Sequence, residues 1–339
     1  MGTRVYGSLA RIADFRDSNY EVCAIPRDEW VTGDYIEGEV IGTPTPLYVM
    51  EDRIGHMVRV EPGDWVVGAF GERAATLEGV GSWRNIDDDG VMHALTGAGL
   101  MGRYTSLSKL LPDPLRLRYR GHLCRDGRKV CMRDFAIRST THSFNVPTIL
   151  LLGTSMSAGK TTTGRRVCKE LDRAGLFVIG AKLSGAGRYR DILSFLKTGA
   201  AAIFDFVDVG LPSTVGPEDE FRAAIRPLLN KINDLAPDFL VAEAGASPLE
   251  PYNGAAVMEE LGDNVACTIL CASDPYAVVG VEKAFGLVPD LVTGPATQTS
   301  AAVELVYKLT GLRGINIIDP ATKGEFREFL EKKLGITCK

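Results

Sequence analysis

The pattern of apolar and polar positions changes character near residue 146. Before it, short apolar runs lie close together and are separated by Gly, Pro and Asp, as in residues 38–42, 56–60 and 65–70. Runs of this length and spacing predict short β-strands joined by turns. We therefore expect a β-rich region folded as a small barrel or an open antiparallel sheet.

After residue 146, apolar runs alternate with segments that can form helices. The predicted strands cover residues 149–152, 176–181, 203–207, 239–242, 266–272, 290–293 and 315–318. Strands that alternate with helices predict a parallel sheet with crossover helices. The predicted fold class is therefore α/β, with a doubly wound, mostly parallel sheet.

The length supports two domains. The chain has 339 residues, and domains average roughly 150 residues. We expect a smaller β-rich domain over residues 1–145 and an α/β domain over residues 146–339. The polar residues 139–147, which close on a proline, are the predicted linker.

The first strand of the second domain ends in a loop of small residues that closes on Gly159-Lys160-Thr161. Small side chains let successive backbone N–H groups surround phosphate oxygens, and a following helix adds its positive N-terminal end. Lys160 would neutralise the β and γ phosphates, and the Thr161 hydroxyl would bind Mg²⁺. The predicted cofactors are ATP and Mg²⁺, and the predicted nucleotide-binding residues are Gly153, Thr154, Ser155, Met156, Ser157, Ala158, Gly159, Lys160, Thr161 and Thr162.

The match to the strict phosphate-loop pattern is imperfect. That pattern has Gly six positions before the lysine, where this chain has Thr154, and the glycine stands one place earlier at Gly153. The alternative is an ordinary glycine-containing turn between a strand and a helix. Gly-Lys-Thr directly after a buried strand favours nucleotide binding.

The displaced glycine is informative, because the run from Gly153 to Thr161 resembles the loop of dethiobiotin synthetase and related ATP-dependent enzymes. In that family a later strand ends in a lysine followed by small residues, and another ends in Glu-Gly-Ala-Gly. Lys182 and the stretch Glu243-Ala244-Gly245-Ala246 are similar to these features. The resemblance implies catalytic roles for Lys160, Lys182 and Glu243, with Glu243 helping to hold Mg²⁺. The alternative is that Lys182 and Glu243 only mark the sheet edge.

A second resemblance covers the same part of the chain. The segments 182–187 and 205–214 resemble a little-characterised P-loop family, some of whose members are linked to N-acyl-D-amino-acid metabolism. In this superfamily the loops at residues 273–276 and 293–297 would hold the nucleotide base. The absence of an Asn-Lys-x-Asp signature favours ATP over GTP.

Two further sets of charged residues lie at predicted strand ends. An acidic Mg²⁺ ligand is expected near the third strand, and Asp205 and Asp208 both qualify. Arg188 and Arg190 could clamp an anionic substrate, since guanidinium groups bind carboxylate or phosphate in a bidentate manner. Solvated surface arginines are the alternative.

In the β-rich region, a predicted hairpin about Asp126-Gly127 would bring His122, Cys124 and Cys131 onto one face. These residues could be three ligands of a metal site. No fourth ligand is evident in the sequence, so a structural role is favoured.

Composition and charge narrow the class of protein. The net charge of −5 argues against a general affinity for nucleic acid. The N-terminus lacks the apolar core of a signal peptide, and no run has the length of a membrane span. The odd count of seven cysteines fits a reducing compartment. We therefore expect a cytoplasmic protein that binds neither nucleic acid nor membrane. Its expected partners are a small anionic substrate and further copies of the chain in a homo-oligomer such as a homodimer.

Two classes of function remain. The first is an enzyme that transfers a phosphoryl group from ATP to a small anionic acceptor, either as a kinase or as a ligase that forms an acyl phosphate. The second is a nucleotide-dependent switch or metallochaperone, with His122, Cys124 and Cys131 as the cargo site. A switch would hydrolyse nucleotide slowly without a small molecule, whereas a kinase or ligase needs its acceptor for turnover.

Overall fold

The computed structural model of the chain describes residues 2–42, 49–139, 143–245 and 247–337. Ala246 and part of the predicted linker therefore lie outside the described residues. The chain forms two compact units. The first contains residues 1–138, 186–190 and 206–228, and the second contains residues 139–185, 191–205 and 229–339.

The strands of the first unit are short and are joined by turns and loops. They are β1 (Arg4–Tyr6), β2 (Glu21–Cys23), β3 (Tyr35–Ile41), β4 (Val49–Glu51), β5 (Met57–Arg59), β6 (Trp65–Phe70), β7 (Glu72–Ala75), β8 (Gly79–Ser82), β9 (Val91–Thr96), β10 (Leu100–Leu107), β11 (Arg116–Arg125) and β12 (Arg128–Lys129).

Five of these strands form a closed ring. They pair in the order β6-β3-β11-β9-β10, and β10 returns to β6 through a parallel pairing. This closure favours the barrel over the open sheet. Residues of β11 alternate, so that Arg116 and Arg118 are exposed whereas Leu117 is buried in the barrel core. The core also contains Ile36, Val40, Val66, Phe70, Met92 and Met101.

The predicted hairpin is confirmed. β11 pairs with β12 across Asp126 and Gly127, which have φ values of 50° and 70°. Positive φ at both central residues characterises the two-residue turn whose twist matches the flanking strands.

The second unit contains a six-stranded sheet in which all neighbouring strands are parallel. Its strands occur in the order β15-β14-β16-β13-β17-β18. Their bounds are β13 (Thr148–Gly153), β14 (Val178–Ser184), β15 (Ala202–Asp205), β16 (Phe239–Ala244), β17 (Val265–Cys271) and β18 (Leu291–Thr293). Every residue of β13, β14 and β16 is buried. This burial explains their continuous apolar runs, since central strands of a parallel sheet are covered on both faces.

The prediction of a last strand over residues 315–318 is wrong. The chain pairs with β18 only through an isolated bridge between Val292 and Gly314. Just beyond it, the Asn316 side chain donates to the Gln298 carbonyl, and the Asn316 carbonyl accepts from Thr322. These bonds turn the chain, so the pairing does not continue.

Seven α-helices are found in the described ranges of the chain. They are α1 (Lys160–Arg173), α2 (Tyr189–Leu196), α3 (Glu218–Asp234), α4 (Gly254–Leu261), α5 (Pro275–Phe285), α6 (Ser300–Thr310) and α7 (Lys323–Leu334). In these same ranges no helix combines the length and apolarity that a membrane crossing requires.

The strand order reverses direction beside the predicted loop. From β13 the chain crosses over β16 to reach β14, whereas from β16 it crosses over β13 to reach β17. Because such crossovers are right-handed, α1 and α4 lie on opposite faces of the sheet. The reversal opens a crevice at the carboxyl ends of β13 and β16, where ligands of doubly wound sheets bind. The α/β, doubly wound prediction is confirmed.

Candidate functional site

The loop after β13 has the backbone of a phosphate-binding turn. The Thr154 N–H donates to the Cys271 carbonyl at 3.0 Å, which keeps the start of the loop on the sheet. Ser157 and Gly159 then adopt φ values of 63° and 104°. This left-handed backbone favours glycine at position 159, and the chain enters α1 at the next residue.

A second glycine, Gly294, packs closely against the loop. Gly294, which follows β18, has a φ of 91°, and a Cβ placed on it would lie 2.4 Å from the Ala158 carbonyl oxygen. Only glycine permits so close an approach of the two backbones. The main chain at Gly294 thus packs directly against the main chain of the loop.

Lys160 lies within this loop. Its side chain is buried, and Nζ donates to the Ser155 carbonyl at 2.9 Å. Burial lowers the pKa of Lys160, although the nearby Glu243 acts in the opposite direction. The ammonium group therefore lies in the loop that the sequence predicts to bind phosphate. An anionic ligand there would favour the charged form of Lys160.

Glu243 meets the first turn of α1 across the crevice. The Thr161 hydroxyl donates to Glu243 Oε2 at 3.2 Å. Burial raises the pKa of the Glu243 carboxyl, and Lys182 and Lys160 oppose this shift. Hydroxyl and carboxylate oxygens are the ligands that Mg²⁺ prefers, so Thr161 and Glu243 fit the predicted cation.

Three charged side chains lie side by side at the ends of neighbouring strands. In the register of the parallel sheet, Lys182 on β14 is opposite Asp205 on β15 and Glu243 on β16. All three are buried. A row of this kind cannot be deduced from spacing along the chain, because the three residues come from separate strands.

Lys182 has a further partner that sequence reasoning missed. Its Nζ lies 2.8 Å from Oδ2 of Asp191, in the first turn of α2. Burial by itself would lower the pKa of Lys182, but Asp191 and Glu243 together raise it. The signal in the sequence was an aspartate at the start of a helix soon after the lysine, but many solvated carboxylates share that pattern.

The two aspartates proposed as metal ligands have different surroundings. Asp205 ends β15 next to Lys182 in the second unit. Asp208 groups with the first unit, where its carboxylate lies 2.7 Å from Nη2 of Arg11. The geometry therefore favours Asp205 as the residue that assists the cation.

Arg188 and Arg190 are exposed and also group with the first unit, whereas the phosphate loop belongs to the second. Each unit is compact in itself, and the described contacts do not join either guanidinium group to Lys160 or Lys182. Their proposed role as a substrate clamp remains a prediction.

The loops expected to hold the nucleotide base follow β17 and β18. Asp274 caps α5 by accepting from the Tyr276 and Ala277 N–H groups, and Thr154 contacts Ser273 through a hydroxyl bond of 3.2 Å. Beside the second loop lies a cavity of about 590 Å³. It is lined by residues 297–300 at the start of α6 and residues 312–316 after it, among others.

The hairpin of the first unit has a different arrangement from the one that a metal site needs. His122 Nε2 lies 3.2 Å from Asp34 Oδ2, and His122 Nδ1 lies 2.6 Å from the Tyr119 hydroxyl. Both ring nitrogens therefore have protein partners. Across the described ranges, no group of three His, Cys, Asp or Glu side chains is arranged to hold a metal ion. These contacts support the structural interpretation of His122.

Comparisons with known proteins yielded only distant structural similarity. No protein-family model and no curated protein matched the chain. Chloroplast FtsY from Physcomitrella patens is 15% identical, with 57% of this chain and 69% of that chain covered and a TM-score of 0.37. A ParA family ATPase from Chlorobium tepidum TLS is 13% identical, with 56% and 92% covered and a TM-score of 0.30.

The signal recognition particle receptor FtsY from Elizabethkingia anophelis is 13% identical, with a TM-score of 0.35. This match covers 53% of the present chain and 59% of that structure, which is less than two thirds of its length. At such values the similarity carries no argument about activity. The sheet order, the loop after β13 and the placement of Lys160 themselves identify a P-loop nucleotide-binding fold.

Proposed function

We propose that the protein transfers a phosphoryl group from ATP, with Mg²⁺, to a small anionic acceptor such as a carboxylate or an amino acid. The observation that carries this proposal is the second buried lysine. Lys182 lies at the carboxyl end of β14, in register with Glu243, in addition to the loop lysine, Lys160. Loop residues alone would suffice to bind a nucleotide, whereas a second cation suits the charge that develops between donor and acceptor.

The roles follow from position. Lys160 and the N–H groups of the loop would bind the β and γ phosphates, and Thr161 and Glu243 would hold Mg²⁺, assisted by Asp205. ATP with Mg²⁺ supplies the phosphoryl donor. Lys182 would contact either the transferring group or the acceptor carboxylate. Little else is required of the protein, because phosphoryl transfer is catalysed chiefly by positioning and charge neutralisation.

Two outcomes of this chemistry are compatible with the site. A kinase would release ADP and the phosphorylated acceptor. A ligase would use a carboxylate oxygen as nucleophile to form an acyl phosphate, which an amine then attacks with loss of inorganic phosphate. The resemblance of the loop to dethiobiotin synthetase supports the second outcome. We also propose that the protein acts in the cytoplasm as a homo-oligomer, and that Arg188 and Arg190 help to recruit the anion.

The test is a screen of carboxylates and amino acids for stimulated release of ADP, followed by the Lys182→Ala variant. We expect this variant to bind ATP within about threefold of wild type and to lose the acceptor-stimulated rate, since the contact matters mainly in the transition state or to the acceptor. Calorimetry measures the ATP affinity, and a coupled assay measures ADP. Full acceptor-stimulated turnover in Lys182→Ala would contradict the proposal and favour the nucleotide switch.

A further inference from the structure

A buried glutamate of the first unit holds the backbone at the start of α2. Glu51, at the end of β4, is 1% exposed. Its carboxylate accepts from the Tyr189 N–H at 2.6 Å, from the Arg190 N–H at 3.0 Å and from the Ser8 hydroxyl at 2.5 Å. A carboxylate that accepts from free N–H groups at a helix N-terminus is a strong cap, because it satisfies those donors and interacts favourably with the helix dipole.

The residues before α2 are also tightly held within the first unit. Ala186 forms a bridge with Ser213. A Cβ on Gly187 would lie 2.5 Å from Cδ2 of Leu9, so this backbone approaches Leu9 closely. The Arg11 guanidinium lies 4.6 Å from the centre of the Tyr189 ring. The start of α2 is therefore positioned by several independent contacts, and Glu51 accepts directly from two of its backbone N–H groups.

Asp191 follows Arg190 in the same helical turn. Residues 191–205 group with the second unit, and the Asp191 carboxylate pairs with Lys182 at 2.8 Å. The direction of a side chain in the first turn of a helix is set by the backbone of that turn. The contact between Asp191 and Lys182 consequently depends on the backbone that Glu51 caps.

We propose that Glu51 is a positioning residue for Lys182. It fixes the first turn of α2, that turn presents Asp191, and Asp191 holds Lys182 at the carboxyl end of β14. The catalytic consequence rests on the proposed function, whereas the ordering of Lys182 by Glu51 can be measured without any turnover.

The experiment measures the accessibility of Lys182 in the full chain at one fixed pH. N-hydroxysuccinimide acetate acetylates exposed amines, and mass spectrometry gives the extent of modification of Lys182 relative to the exposed Lys169 of α1. We expect Glu51→Ala to increase the relative modification of Lys182 by about fivefold or more, the scale of a lost helix cap. Asp191→Asn should produce a similar increase, because it removes the direct partner of Lys182.

Two variants serve as controls for a general loss of structure. Glu51→Gln retains an oxygen that accepts one N–H group, so it should produce a smaller increase than Glu51→Ala. Glu61→Ala removes a glutamate of the same unit whose side chain is 53% exposed, and it should leave Lys182 unchanged. ATP affinity within about threefold of wild type shows that the loop is intact.

Combining the substitutions separates a positioning role from simple destabilisation. Glu51→Ala with Asp191→Asn should expose Lys182 no more than Asp191→Asn alone, since both act through one contact. Additive increases would overturn the proposal. So would faster hydrogen exchange in α2 with unchanged modification of Lys182, because Glu51 would then only cap the helix. If Glu51→Ala fails to fold, Ser8→Ala and Glu51→Gln replace it, and no increase in either would equally overturn the proposal.

Turnover distinguishes this inference from the proposed function. With an acceptor identified by the screen, Glu51→Ala should lower the rate of ADP release about tenfold or more at near-normal ATP affinity. Increased modification of Lys182 with a normal rate would support the positioning role and contradict the catalytic role of Lys182. Normal modification and a normal rate would overturn the inference and leave the proposed function to its own test.

Discussion

Each unit places a lysine beside a buried carboxylate, but the two clusters differ in what surrounds them. In the first unit, Lys129 and His122 both contact Oδ2 of Asp34, at 2.8 and 3.2 Å. In the second unit, Lys182 contacts Asp191 and lies in register with Glu243. In both clusters the surroundings shift the pKa of a charged group, Asp34 in the first and Lys182 in the second. Burial opposes the charge on Asp34, but His122 and Lys129 outweigh it and lower the pKa of that carboxyl.

The difference lies in the backbone. The Asp34 cluster is held by side chains and by the antiparallel barrel strands, with the Trp30 and Phe70 rings packed on His122. The Lys182 cluster lies at the carboxyl ends of parallel strands, next to a loop in which Ser157 and Gly159 have left-handed backbone conformations. Buried charge alone therefore does not identify a ligand site. Its position relative to strand ends and glycine loops is the basis on which we propose one.

The largest effect should come from Lys160, which distinguishes a ligand-binding cluster from a structural one most directly. Lys160→Ala leaves the β and γ phosphates without their neutralising charge, so we expect ATP turnover to fall by at least about 10³-fold. Calorimetry should also show weaker ATP binding. Lys169→Ala on the exposed side of α1 is the matched control. Unchanged affinity together with unchanged turnover would show that the loop does not bind phosphate.

Glu243 should affect the rate more than affinity. Glu243→Gln keeps the shape but removes the charge that would hold Mg²⁺, and we expect turnover to fall at least about 100-fold with most of the ATP affinity retained. Steady-state kinetics and calorimetry measure the two quantities. The control for a general effect of lost charge is Glu282→Gln, which changes an exposed glutamate of α5. A near-normal rate for Glu243→Gln would assign this glutamate to the sheet edge only.

Asp34 should give the opposite result, with a loss of stability and no loss of binding. Asp34→Asn removes the charge that Lys129 and His122 contact inside the first unit. We expect the free energy of unfolding to decrease by about 1–3 kcal/mol, because the buried His122 ring and Lys129, whose side chain is 25% exposed, lose their charged hydrogen-bond acceptor. Urea unfolding measures this change, with the exposed Asp28→Asn as control. A large loss of ATP affinity in a folded Asp34→Asn protein would remove the distinction between the two clusters.

The smallest expected effect is a dependence of stability on pH that arises from His93 in the first unit. Burial, with Arg116 and Arg103 nearby, lowers the pKa of His93 to about 4. The Tyr104 N–H donates to His93 Nδ1, which accepts only when that nitrogen is unprotonated. The unfolded chain, with a histidine pKa near 6.5, binds the proton first.

The stability that neutral His93 contributes is therefore fully present above about pH 6.5 and is lost as the pH falls towards 4. Partial exposure of the ring limits the effect to on the order of 1 kcal/mol. Unfolding midpoints between pH 7 and pH 4.5 test this, and His93→Gln should reduce the dependence. An identical pH dependence in His93→Gln would show that other groups cause it.

The local parts of the site were predictable. The loop from Gly153 to Thr161 is contiguous, and its small residues and Lys160 define its chemistry wherever the chain places it. The placement of Lys182 and Glu243 at strand ends also followed, because an apolar run that stops at a charge indicates where a buried strand ends. The domain limits at residues 145 and 146 remain a prediction, since two later segments of the chain group with the first unit.

By itself, then, the sequence determined the parallel sheet, the hairpin at Asp126-Gly127 and the loop, because periodicity and turn chemistry act over a few residues. Only the tertiary structure shows that Asp205 and Asp208, which are three residues apart, have different surroundings. A change from β15 to a short turn directs the first toward Lys182 and the second toward Arg11. The contacts of Asp191 with Lys182 and of Glu51 with the start of α2 also appear only in the tertiary structure. They depend on strand order and helix placement, which no spacing along the chain encodes.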